Sequence, residues 1–238
     1  EIIRGEKTSD ATLAKVFADL HAEKGVTLRL SARLAEITTD GDRATGIRFE
    51  DGETIPADTV VIGIGVAPDI TLAAAAGLEV DNGVLVDASL RTSDRDVYAI
   101  GDIANVDHPV LQERIRVEHW ATALNQPAIA AAAILGQEAQ WTELPYFYTD
   151  QYDLGMEYIG HVPRGTPDDV VIRGDLAGRE FIAFWLAPDG RVLAGMNVNV
   201  WDVVDDIKAL IRSGQPVDRE RLSDPSADLA AVLRVDAS

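Results

Sequence analysis

The sequence predicts an α/β front section followed by an α+β C-terminal domain, and three observations carry that prediction. The run Thr59-Val60-Val61-Ile62-Gly63-Ile64-Gly65 is apolar almost throughout, as a parallel strand covered on both faces must be. Helical and strand patterns alternate up to about residue 135. Composition then shifts near Gln140 into the aromatic stretch WTELPYFYTDQY, after which short alternating segments follow one another closely.

Taken in order, the first element is a helix over 11–24, with Leu13, Val16, Phe17 and Leu20 on one face and Gly25 stopping it. A strand is expected at Val26–Leu30. The stretch RLAEITTDGDRATGIRFEDGETIPAD alternates around the turn signals Asp40-Gly41 and Asp51-Gly52, the pattern of a three-stranded antiparallel meander. The buried strand 59–65 comes next, then a short Ala-rich helix over 69–76 and strands around Val84–Val86 and Val97–Ile100. A long alanine-rich helix is expected from Val117 to Leu135, with Pro127 kinking or breaking it. Beyond Gln140, strands at about 155–160, 169–174, 180–186 and 191–198 form an antiparallel sheet. A helix follows with Val203, Val204, Ile207, Leu210 and Ile211 inward, and Asp224-Pro225 announces a last one.

The 238 residues are 47% hydrophobic and 26% charged, a folded rather than disordered composition with room for one to two domains. A net charge of −19 repels phosphate backbones, so no nucleic acid is expected as a partner. No apolar run reaches the ~20 residues that span a bilayer and no signal peptide opens the chain, so no membrane is expected either. There is no cysteine, which removes disulfides and dithiol redox chemistry from this chain and fits a reducing cytoplasm. No metal-ligand spacing links His21, His108, His119 and His161, and no metal site is expected. Arg114, Arg116, Arg212, Arg219 and Arg221 are candidates for a basic patch, against the plainer reading of structural ion pairs.

Two stretches bear on chemistry. GIGVAP, Gly63 to Pro68, follows a strand and precedes a helix, but Pro68 replaces the third glycine and the helix is short. It fails as a pyrophosphate cradle; a ligand ring lying against Gly65, or a plain tight turn, remain the readings. In TSDRDVYAIGDIAN, an apolar strand runs into Gly101-Asp102. A carboxylate there is costly without a partner. Asp102 either accepts hydrogen bonds from sugar-like hydroxyls in the crevice beyond the strand, or caps the next turn.

These residues carry a resemblance. TSDRDVYAIGDIA is similar to the second flavin motif of the two-dinucleotide-domain flavoprotein reductases. RVEHWATALNQ resembles the segment after it in the ferredoxin, putidaredoxin and rubredoxin reductases of bacterial oxygenase systems. PYFYTDQYDLGMEYIG resembles the opening of their C-terminal domain, and IGIGVAPD the end of their NAD domain. The resemblance implies incomplete FAD- and NAD(P)-binding doubly wound domains followed by an α+β reductase domain. It divides the chain into a remainder of the NAD(P) domain (1–85), a return segment of the FAD domain (86–139) and a C-terminal domain (140–238).

It further implies that Gly101 and Asp102 bind the ribityl chain of FAD, and that Glu118, His119 and Trp120 face the isoalloxazine. Tyr148 would lie near its other edge, and Gly65 close to nicotinamide or flavin. No side chain is assigned as catalytic. The helix near Val117 would aim its free N–H groups at the ring edge where negative charge appears on reduction. Glu118 would sit in its first turn. His119 reads either as a proton donor or as a packing residue, and Trp141, Trp185 and Trp201 as core or interface aromatics. The implied activity passes electrons from NAD(P)H through FAD to a ferredoxin or rubredoxin. The Gly-rich fingerprints of such reductases are missing, so the chain reads as a C-terminal portion. Tyr148 also stands where the family often has Trp. Two alternatives stand beside this one: a dithiol-type flavoprotein reductase, and a non-catalytic acidic interaction module.

Overall fold

The computed structural model describes residues 11–166 and 169–233, and the chain divides into two compact units, 1–66 and 67–238. In the first unit, helix α1 (Ala11–Glu23) buries Leu13, Val16, Phe17 and Leu20, the face that the 3.6-residue period specifies. Strands β1 (Leu34–Asp40), β2 (Arg43–Phe49) and β3 (Thr54–Pro56) form the expected antiparallel meander. Two expected strands are not formed. Residues 26–29 have no ladder, and Arg29 there pairs instead with Glu53 through two hydrogen bonds of 2.5 and 2.8 Å. Residues 59–65 make no ladder either, and Val61 is 90% exposed. An apolar run becomes a strand only where neighbours supply hydrogen bonds, and among the described residues none does.

The second unit opens with α2 (Thr71–Ala75), β4 (Val80–Asp81) and β5 (Gly83–Val86). Strands β6 (Ala104–His108) and β7 (Glu113–Arg116) complete a four-stranded sheet in the order β4-β5-β6-β7, in which β5 and β6 run parallel. The expected strand at 97–100 is replaced by extended chain with an isolated bridge from Tyr98 to Arg91. Helix α3 (Trp120–Ile134) starts three residues later than the pattern suggests and runs unbroken through Pro127. Proline removes one donor, and the buried side chains Thr122, Gln126, Ala130 and Ala133 hold the helix on both sides of it.

Strands β8 (Tyr146–Gln151), β9 (Leu154–Gly160), β10 (Val170–Asp175), β11 (Glu180–Leu186) and β12 (Val192–Val198) form an antiparallel sheet ordered β10-β11-β12-β9-β8. Helix α4 (Val204–Ser213) lays Ile207 and Leu210 on it, joining Ile159, Phe184 and Leu222 in one core. Helix α5 (Arg219–Ser223) is capped by Asp218, whose carboxylate accepts from the N–H groups of Glu220 and Arg221. Asp224-Pro225 therefore ends a helix rather than starting one. The Asp224 carboxylate is taken by Ser226, and a one-turn 3-10 segment follows at Leu229–Ala231. Among the described residues no helix is long and apolar enough to cross a membrane.

Candidate functional site

The residues singled out in the second unit gather where the turn before β6 meets the start of α3. Gly101 opens a 3-10 turn, Gly101–Ile103, with φ at +74°, a conformation glycine adopts without steric cost. Its N–H donates to Oε1 of Gln126 at 2.7 Å, and Gln126 is buried on the inner face of α3. The turn is thus fastened to the middle of the helix. Because the strand follows Gly101-Asp102 instead of preceding it, this pair sits at the amino end of β6. Asp102 is exposed and its carboxylate takes no hydrogen bond from the described residues. The burial cost anticipated for this carboxylate does not arise, and its oxygens are open to a ligand.

Arg116 organises the approach to α3. Its guanidinium donates to the Asp102 carbonyl at 2.9 Å, to Oδ1 of Asn82 at 3.0 Å and to Oε1 of Glu118 at 2.6 Å. The Glu118 carboxylate is therefore committed to an ion pair, and it lies outside the helix whose first turn it was expected to occupy. The cause is the backbone. His119 is the extended N-cap residue, with φ −104° and ψ 139°.

No side chain caps α3. The N–H groups of Thr122 and Ala123 reach the His119 carbonyl at 2.9 and 3.3 Å, while those of Trp120 and Ala121 precede the first helical acceptor and have no intrahelical partner. This leaves the positive end of the helix dipole open. Trp120 is 69% exposed beside it, and Leu124 one turn on is exposed on the same face.

The His119 ring packs against Phe147, with centroids 4.9 Å apart. Burial lowers its pKa, opposed by the Asp102 charge and by a hydrogen bond to the Tyr146 backbone. The imidazole is accordingly neutral at pH 7. Its Nδ1 is buried and has no hydrogen-bond partner among the described residues.

Alternation along β8 sends Phe147 toward His119 and Tyr146 and Tyr148 to the opposite face. Tyr148 is 53% exposed, with its ring 6.4 Å from that of Tyr146. The structure brings Gly101, Asp102, Glu118, His119 and Trp120 together and leaves Tyr148 on the other face of its strand. Phe147 was missed. The period-2 pattern of YFYTDQ held the signal, hidden because all the first three residues are aromatic. Gly65, in the first unit, has φ +78° in an exposed segment without regular structure.

Of the arginines considered for a basic patch, Arg114, Arg116, Arg212 and Arg219 are engaged within the fold, while Arg221 is exposed on α5. Arg114 donates to the carbonyls of Val86 and Asn105, Arg212 to that of Thr142, and Arg219 pairs with Asp169. Trp141 is buried and Trp185 packs edge-on to Tyr158, as expected, but Trp201 is 55% exposed. It lies over a glycine on β9 instead of inside the core.

An open helix N-terminus, an unengaged carboxylate and an exposed indole make a surface suited to a flat, hydroxyl-bearing ligand with an electron-accepting edge. FAD has these properties.

Residues 2–127 match the family model described as pyridine nucleotide-disulphide oxidoreductase, and residues 146–233 match that described as reductase C-terminal. A ferredoxin–NAD(+) reductase component of an anthranilate 1,2-dioxygenase system from Burkholderia cepacia is 38% identical over 90% of this chain and 52% of its own length. The crystal structure of a ferredoxin reductase for the CYP199A2 system from Rhodopseudomonas palustris superposes with a TM-score of 0.86. It is 34% identical, over 95% of this chain and 55% of that one. A covalent putidaredoxin reductase–putidaredoxin complex gives a TM-score of 0.87 at 33% identity, over 96% and 54%. The chain spans about half the length of the curated relatives it matches. On the match over 2–127, this chain belongs to the pyridine nucleotide-disulphide oxidoreductase family.

Proposed function

We propose that this chain is the FAD-facing and C-terminal portion of an NAD(P)H-dependent reductase that delivers electrons to a ferredoxin or rubredoxin. When bound, FAD would accept a hydride from NAD(P)H and release the electrons singly to the carrier. The single observation behind the reading is the uncapped start of α3, held beside the Gly101-Asp102 turn by Gln126 and Arg116. The similarity to ferredoxin and putidaredoxin reductases supports it.

In this reading the Asp102 carboxylate accepts from the ribityl hydroxyls, and Gly101 lets the backbone come close. The free N–H groups of Trp120 and Ala121 face the ring edge where charge builds on reduction, which stabilises that charge without a charged side chain. Trp120 and His119 flank the ring, and Glu118 acts through Arg116 to hold the turn. Tyr148 and Gly65 contribute at the margins of the flavin and nicotinamide sites. The domain divisions at 85 and 139 and a cytoplasmic setting belong to the same proposal.

The test is a titration of the natural full-length protein with FAD, followed by flavin fluorescence. Binding is expected to saturate. Asp102→Ala should weaken it by about tenfold or more, the loss of a charge-assisted hydrogen bond. Because the carboxylate takes no hydrogen bond among the described residues, the melting temperature of the apoprotein should not move. A flat titration of folded protein overturns the reading.

A further inference from the structure

A cleft of about 520 Å³ opens on the C-terminal sheet, lined by Tyr146, Glu157, Trp201, Asp202, Val204, Asp205 and Lys208. It lies on the face of β8 opposite Phe147, and it does not depend on the flavin reading. We propose that this cleft binds an organic cation, a guanidinium or primary ammonium carried on an apolar stem.

Glu157 is the anchor. Its Oε1 accepts from the Tyr146 hydroxyl at 2.8 Å and its Oε2 from Nδ2 of Asn197 at 2.8 Å. The half-buried carboxylate is thus fixed at both oxygens by neutral donors, and no lysine or arginine pairs with it among the described residues. Each oxygen keeps a further lone pair. Burial first, then the Glu157 hydrogen bond, pushes the Tyr146 phenol up to about 12, so the phenol donates throughout the neutral range. An anion held without a counter-charge in a concave site is set up to receive a cation.

A buried amide holds the anchor from behind. Asn197 is fully buried and pairs in register with Glu157, so the two side chains leave the sheet on one face. Its Nδ2 donates both to Glu157 and to the Val200 carbonyl at 2.7 Å, which fixes the amide orientation. Oδ1 is left as a buried acceptor with no donor.

Trp201 supplies the apolar wall. A Cβ on Gly155 would lie within 3 Å of the indole atoms Cη2 and Cζ2, so the ring can rest on β9 only because residue 155 is glycine. Trp201 is 55% exposed and lines the cleft with Glu157, and an indole beside a carboxylate attracts a cation. The remaining lining is Asp202, Val204, Asp205 and Lys208. Lys208 pairs with Asp205 at 3.7 Å and offsets one of the three acidic residues, leaving the cleft negative. Its volume falls in the range of about 300–1,000 Å³ that small ligands and single side chains occupy.

The probes are Nα-acetyl-arginine amide and its uncharged counterpart, Nα-acetyl-citrulline amide. Each is titrated into the full protein while the indole N–H resonance of Trp201, assigned through Trp201→Phe, is followed by NMR. The arginine probe should bind saturably and shift that resonance, and the citrulline probe should bind at least about tenfold more weakly. Glu157→Gln should reduce affinity for the arginine probe by about tenfold or more, and Lys208→Gln should raise it severalfold by removing the competing ammonium. Opposite signs from two variants separate a cation site from loss of fold. Comparing the capped amino acid with a short arginine-containing peptide separates the two sources of such a group. Tighter binding of the peptide assigns a basic segment of another protein, and equal affinity a free cation; either result supports the site. Equal binding of both probes, no saturable shift, or indifference to both Glu157→Gln and Lys208→Gln overturns it.

Discussion

The N–H of Gly101 and Oε1 of Gln126 are joined by a 2.7 Å hydrogen bond between a left-handed turn and the inner face of α3, 25 residues further along the chain. It ties the residue that opens the Asp102 turn to the helix whose start faces it. Gln126→Leu keeps the volume and removes the acceptor. A buried N–H left unpaired costs about 1–3 kcal/mol, so the melting temperature should fall by several degrees in calorimetry. FAD affinity should fall with it, because the turn loses its position. A variant with unchanged stability would show that the bond carries no weight.

Arg116 secures the same turn from the other side. Its side chain is 11% exposed and binds the Asp102 carbonyl, Asn82 and Glu118. Arg116→Leu should destabilise the protein by about 1–3 kcal/mol, read as a lower denaturant midpoint. Arg116→Lys should recover less than half of that loss, because an ammonium cannot reproduce the planar fork. Full recovery with lysine would mean that charge alone matters here.

Acid should weaken the fold through its buried histidines. His108, His119 and His161 are each held below 6.5, in every case chiefly by burial. The folded chain then binds fewer protons than the unfolded chain, so stability rises with pH across the window beneath about 6.5 and is lost as pH falls through it. His108 should carry a large share. It is buried, its Nδ1 accepts from the Leu111 N–H, and protonation would break that bond. Melting temperatures measured from about pH 7.5 down to pH 5 should decline, and the decline should be shallower in His108→Asn. A flat profile would count against this.

Helix α4 sits on β12 through a close approach. A Cβ built on Gly195 would lie 2.6 Å from Cγ2 of Ile207. Gly195→Ala should therefore cost about 1–3 kcal/mol through overpacking. Combining it with Ile207→Ala should restore part of the loss, a coupling that a double-mutant cycle measures. Strict additivity would place the strain elsewhere.

Helices α1 and α4 and the strands from β9 to β12 were legible in the sequence because side-chain periodicity is a local property: Leu13, Phe17 and Leu20, or Ile207 and Leu210, declare their face wherever the helix lies. The motif around Gly101-Asp102 and the family it indicates were legible for the same reason. Tertiary structure alone decided that 59–65 makes no ladder and 97–100 only an isolated bridge, that β6 follows the Gly-Asp turn and runs parallel to β5, and that Arg116 takes Glu118. It also placed Phe147 against His119 and laid Trp201 over Gly155 at the rim of a cleft. A ladder, an ion pair and a ring contact each need a partner distant in sequence, and neither an apolar run nor a lone charge specifies which partner will arrive.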